Sequence, residues 1–165
     1  MNRTGHAMCI TLTLIPLAVA YADESNNDGR LMFQLGPYAH HFGYDPEHNN
    51  YPWMMGLEWE SRNNWLGGAA YFRNSFNQPS RYIYVGKQWF PDFLPENVYL
   101  KLTAGILLGY KEPYEETIPF NHRKGIAPGV LPAIGYQFER ANIQLVPFAD
   151  AGLILTFGVD LLNLR

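Results

Sequence analysis

Charge is scarce in this sequence. Charged side chains make up 16% of its 165 residues, against about 25% in a typical soluble domain. The net charge is −3 and no basic cluster exists, which excludes a nucleic-acid surface. Cysteine is almost absent: Cys9, close to the N-terminus, is the single one, so no disulfide framework holds the chain. No long apolar run follows the N-terminal segment, which excludes a bundle of membrane-spanning helices. What the chain has instead is 15 Gly, 12 Pro, 11 Tyr and 10 Phe. These are poor helix formers, so a coiled coil or a helical enzyme is also excluded.

Residues 1–22 read as a secretory signal. Arg3 supplies the positive n-region, Met8 to Ala20 the apolar region, and Ala20-Tyr21-Ala22 the cleavage site, so the mature chain begins near Asp23. A retained anchor is the alternative, but the stretch is short for a span. Cleavage removes Cys9, and the exported chain must then be stabilised by something other than disulfides.

The remainder is a single domain, 23–165, of segments with period-two alternation. Val98, Leu100, Leu102, Ala104, Ile106 and Leu108 share one face; Tyr99, Lys101, Thr103, Gly105 and Leu107 share the other. The pattern predicts eight strands at about 30–42, 52–61, 64–74, 80–90, 98–110, 126–139, 141–149 and 152–161. Turn signals such as Arg62-Asn63-Asn64 and Asn77-Gln78-Pro79-Ser80 separate them. An even number of antiparallel strands of about ten residues after a signal predicts an eight-stranded transmembrane β-barrel of the outer membrane. Aromatics near strand ends (Trp53, Trp59, Trp65, Trp89, Tyr110) suit interfacial girdles. A soluble periplasmic barrel or sandwich is the competing fold, with its apolar face turned inward.

In the membrane fold, one end of the interior is polar, with Glu58, Glu60, Gln88, Lys101, Gln137, Asn142, Gln144 and Asp160. The other is mostly apolar, with Met54, Tyr82, Tyr84, Gly86, Leu107, Leu131 and Val146. An apolar slot inside a membrane barrel suggests a bound hydrocarbon chain, or side chains packed on one another in a narrow barrel. Proline removes a ladder donor. Pro37 and Pro52 flank the first outer loop, and Pro132 and Pro147 lie in strands six and seven. Each pair weakens one seam between neighbouring strands.

Across about 30–150 the chain resembles the lipid A palmitoyltransferase (PagP) family. The stretches that carry this are His40-His41-Phe42-Gly43-Tyr44-Asp45, Pro52-Trp53, Phe72-Arg73-Asn74-Ser75-Phe76-Asn77, Thr103-Ala104-Gly105-Ile106 and Pro128 to Tyr136. The resemblance implies a monomeric outer-membrane enzyme. It moves a palmitoyl chain from a phospholipid donor to a lipid A acceptor, without metal or cofactor. It also implies catalysis at the outer rim by His40 or His41 with Asn74 and Ser75, and acyl-chain binding by Met54, Gly86, Leu107, Leu131 and Val146, with Gly86 as the floor. Lipids would pass at Pro37, Pro52, Pro132 and Pro147. His40 is preferred because its strand parity is opposite to that of Pro37.

Three features depart from the family. Asn74 stands where the family has Asp, no N-terminal amphipathic helix precedes strand one, and the chain ends in Asn163-Leu164-Arg165. Histidine suits a general base because imidazole titrates near neutral pH. Ser75 serves as nucleophile or as oxyanion donor, and Asn74 suits an oxyanion role better than an orienting one. Asp45, Glu112, Glu115, Glu116 or Asp150 is a candidate for the missing carboxylate. Arg73, Arg81, Lys111, Arg123 and Lys124 pair with lipid A phosphates or are solvated loop charges. The alternative function is a non-catalytic barrel that binds lipid or acts through its outer loops; a conducting pore is disfavoured by the bulky lumen.

Overall fold

The computed structural model describes residues 28–43, 48–118, 120–121, 125–148 and 152–164. The expected signal segment 1–22 lies outside them, as do Asp45, Arg123, Lys124 and Asp150. The eight strands are β1 (Gly29–His41), β2 (Met54–Ser61), β3 (Trp65–Arg73), β4 (Pro79–Trp89), β5 (Val98–Leu108), β6 (Ile126–Gln137), β7 (Ala141–Phe148) and β8 (Gly152–Asn163). Each pairs antiparallel with the next, and β8 returns to β1, closing an all-β barrel. Closure leaves no free edge strand and pairs most of the backbone between strands. Asn64 and Asn77, in the tight β2–β3 and β3–β4 turns, have φ of 62° and 59°, a conformation asparagine tolerates.

Alternation sends charge inward and hydrocarbon outward. Arg30, Glu58, Glu60 and Lys101 are each 5% exposed or less, whereas Ile83, Val85, Val130 and Val159 are more than half exposed. At the lower end of the barrel, Lys101 Nζ donates to Glu58 Oε1 and Oε2 at 2.7 and 2.9 Å. Tyr84 Oη donates to Glu58 Oε2 at 2.8 Å, and Arg30 Nη2 to Glu60 Oε2 at 2.6 Å. Buried ions are tolerated where each is paired and further hydrogen-bonded. The lumen is narrow: a Cβ on Gly135 would collide with the buried Tyr99 ring, so glycine there makes room for the tyrosine.

Two irregularities shape the upper end. In β1, three residues advance from Leu35 to Tyr38 while β8 advances two, from Phe157 to Leu155. This bulge falls at Gly36-Pro37. Below it Arg30, Met32, Gln34 and Gly36 are buried; above it Ala39 is buried and His40 is exposed. A bulge inserts one residue and so reverses the facing of everything beyond it.

The second irregularity is the β6–β7 seam. Its ladder holds only four paired positions, Ile134↔Leu145 to Gln137↔Asn142. On its other side β6 pairs with β5 from Ile126 to Tyr136. Phe138 N–H donates to Ala141 O, so in this register even-numbered β6 residues face β7 with their hydrogen-bonding groups. The next such pair above Ile134 and Leu145 is Pro132 opposite Pro147. Neither has an N–H, so neither bond of that pair can form. The seam is unzipped from there upward.

Candidate functional site

Strand β1 ends at the upper rim with His41, and β3 ends one residue before Asn74-Ser75. The β2 approach, residues 48–53, crosses between them, held by Asn49 N–H to Ser75 O at 2.7 Å and Ala39 N–H to Asn50 O at 2.9 Å. These tethers bring three side chains into line. His41 Nδ1 bonds Asn50 Oδ1 at 2.9 Å, and His41 Nε2 bonds Ser75 Oγ at 3.0 Å. Asn50 Oδ1 can only accept, so the ring carries its proton on Nδ1. Nε2 therefore offers a lone pair to the Ser75 hydroxyl, the arrangement in which a serine is activated by a base that a third residue orients. Phe148 meets the His41 ring edge-on at 5.3 Å, and His48 stacks on it at 4.5 Å.

His40 is not part of this group. It is exposed and packs against Phe42, with ring centroids 6.0 Å apart. The preference for it assumed unbroken alternation through Pro37. The bulge at Gly36-Pro37 breaks that alternation and turns His41 inward instead.

Asn74 lies beside Ser75 but faces its own loop. It is 2% exposed, and its Oδ1 accepts from Phe76 N–H at 3.0 Å and Gln78 N–H at 2.9 Å. Its Nδ2 donates to Gln78 Oε1 at 3.4 Å. Asn74 thus builds the turn that presents Ser75, and it also lines the cavity beneath Ser75. Among the described carboxylates suggested as replacements for the family's Asp, Glu112 and Glu116 are exposed and neither reaches His41. Asn50 occupies the orienting place. Sequence reasoning missed it because a single Asn in a loop has no spacing signal; only the backbone tethers bring it to the imidazole.

Beneath Ser75 lies a cavity lined by Ala39, His41, Phe72, Leu107, Tyr110, Leu131, Phe148 and Ile154. Tyr110 follows β5 and was expected in an aromatic girdle. It faces inward beside Ser75 instead. Burial pushes its phenol up to about 12, against a smaller opposite pull from the Ser75 hydroxyl. It is therefore an O–H donor throughout the physiological range. A second, smaller cavity lies in the barrel, lined by Met54, Tyr82, Leu131, Ala133 and Val146 and by Glu58, Lys101 and Gln144. Leu131 borders both.

The residues expected to bind an acyl chain divide. Leu107 and Leu131 line the upper cavity, and Met54, Leu131 and Val146 the second. Gly86 borders neither: a Cβ there would sit 3.0 Å from Leu66 Cδ1, and the buried Leu66 covers it. Charged and hydrogen-bonded side chains at Glu58–Lys101 end the apolar space instead. Pro132 and Pro147 face each other at the unzipped seam. Pro52 ends the β1–β2 ladder, whose last pair is Gly36↔Met54, and its carbonyl accepts from Arg73 N–H at 2.8 Å. No protein-family model matches this chain, and no curated protein matches it either.

Proposed function

We propose that the protein is an outer-membrane acyltransferase that moves an acyl chain from a phospholipid to lipid A. The observation that carries this is the Asn50–His41–Ser75 hydrogen-bonded chain standing over an apolar cavity, beside a wall whose ladder stops at two facing prolines.

The membrane part rests on the inverted polarity of the barrel. In water, exposing six side chains such as Leu57, Ile83, Val85, Ile106, Val130 and Val159 forfeits on the order of 10 kcal/mol of burial, as much as a domain's whole stability. Lipid removes that cost and matches the strand length. The open seam would admit an acyl chain sideways, and the cavities below Ser75 would hold it while its ester reaches the rim.

The chemistry follows in two halves. Ser75 Oγ attacks the donor ester carbonyl as His41 Nε2 takes its proton. The C–O bond to glycerol then breaks, and the lysophospholipid leaves with that proton, giving an acyl-serine. A lipid A hydroxyl gives its proton to His41 and attacks the acyl-serine, and Ser75 Oγ leaves and is reprotonated. Asn50 holds the ring and stabilises the imidazolium that forms. Tyr110, protonated and facing the same space, supplies an oxyanion donor.

The test is lipid A mass spectrometry of Gram-negative cells that express the chain. One added acyl chain is expected with wild type and with His40→Ala, and none with His41→Ala or Ser75→Ala. A wild-type protein that inserts correctly and adds nothing sinks the enzyme reading in favour of a non-catalytic lipid-binding barrel. Full activity in an inserted Ser75→Ala protein sinks the nucleophile assignment.

A further inference from the structure

The outward face of the strands carries no carboxylate, and of its Lys and Arg residues none lies outside β3 and β4: Arg73, Arg81 and Lys87. Lys87 lies at the lower end and rests over the Trp65 ring, 5.1 Å from its centroid. Arg73 and Arg81 lie at the end that carries His41 and Ser75. Arg81 pairs with Tyr71, and Arg73 with Pro79, so the two guanidinium stems are diagonal neighbours on one face. Arg73 donates to Asn77 O at 3.0 Å. Among the described residues nothing forms an ion pair with either arginine. Two adjacent cations at the rim of an otherwise apolar wall offer a site for an anion from outside the protein.

Below Arg81 the same wall is grooved. Ala69, with Met55, Leu57, Tyr71 and Ile83 around it, bounds a shallow trough that reaches Arg81. The small side chain at Ala69 makes the depression. The β2–β3 and β3–β4 ladders behind it are continuous, so this trough does not lead inside. It is a place to lie against, unlike the seam between β6 and β7 on the opposite wall.

We propose that the outer face of β2–β4 docks the acceptor, lipid A. One of its acyl chains lies along Ala69 and a phosphate sits on Arg81 and Arg73. This rests on the acyltransferase reading above. Arg73 is the link between the two: it precedes Asn74-Ser75 directly and also borders the cavity under Ser75. A phosphate held there leaves the sugar of the same lipid at the rim, while the donor chain occupies the interior. Donor and acceptor then approach from opposite walls and do not compete.

The experiment measures lipid retained by the full barrel in phosphatidylcholine nanodiscs, doped either with lipid A or with phosphatidylglycerol, by native mass spectrometry. Wild type is expected to retain lipid A in preference to phosphatidylglycerol. Replacing both arginines (Arg73→Gln with Arg81→Gln) is expected to lower lipid A retention about tenfold. Ala69→Trp, which fills the trough and leaves the charges, is expected to do the same, and Lys87→Gln to change nothing. Equal retention by wild type and the double arginine variant overturns the proposal, as does equal retention of the two anionic lipids. Arginine-dependent binding without any acyl transfer keeps the docking site and rejects the enzyme. Acyl transfer with arginine-independent binding does the reverse.

Discussion

Asn50 acts on the imidazole through one hydrogen bond, and that bond strengthens when the ring becomes positive. Its loss should remove about 10- to 100-fold of the transfer rate. Asn50→Ala is expected to lose that much activity with the barrel intact, and Asn50→Asp, which can still accept from Nδ1–H, to restore it; single-turnover rates of lipid A acylation check both. Tyr110 carries a prediction in pH. Its phenol is raised from 10.0 to about 12 by burial, so the folded barrel holds that proton more tightly than the unfolded chain. The resulting stabilisation is complete below about pH 10 and is lost as pH rises toward 12. In ¹³C-tyrosine NMR, one ring signal, absent from Tyr110→Phe, should titrate near 12. Titration of that signal near 10 would show that the phenol is solvated and not buried beside Ser75.

Strands β6 and β7 show how two residues set the behaviour of an element. Pro132 and Pro147 fall opposite each other in the position that the next hydrogen-bonded pair would take. Replacing both with Ala supplies two N–H donors, worth about 2 kcal/mol together, or about 30-fold in the population of the open seam. Slower amide exchange in β6 above Ile134 and reduced acyl transfer are expected together in that double variant. Unchanged transfer with slowed exchange would mean that lipid does not use this seam. In β1, by contrast, the irregularity changes which side chain faces the lumen. Alternation breaks at two places along the β1–β8 ladder, at Leu161 where Leu31 pairs with Leu162 and Met32 with Asp160, and across Gly36-Pro37; the second bulge exchanges His40 for His41. Nothing local in the sequence says which residue a bulge doubles, because the choice depends on the register of β8 beside it.

Across the whole barrel, the Glu58–Lys101 pair lies between the apolar space and the lower end. It joins β2 to β5 across the lumen, with Tyr84 from β4 completing it. Removing one partner leaves a buried, uncompensated charge, so Lys101→Met is expected to cost about 3–5 kcal/mol of stability. The double variant, Lys101→Met with Glu58→Gln, should recover most of it. Urea unfolding in lipid vesicles, followed by the loss of the compact band on unheated gels, measures both. Equal stability of the single and double variants would show that water reaches Glu58.

The sequence by itself determined the strand count, the strand limits to within a few residues, and the split of the lumen into polar and apolar parts. It could do so because a pleated strand alternates its side chains with period two, and that period is written residue by residue. It also marked the four prolines, Ser75 and the His40-His41 pair at the rim, with the preference on His40. What only the tertiary structure decided lies between elements. The register placed Pro132 opposite Pro147, the bulge chose His41, and backbone tethers brought Asn50 to the imidazole. The curl of the sheet into a barrel set Glu58 against Lys101 across the lumen, and the β3–β4 register set Leu66 beside Gly86. Each depends on which residues of different strands come level, a property of the sheet that no single strand encodes.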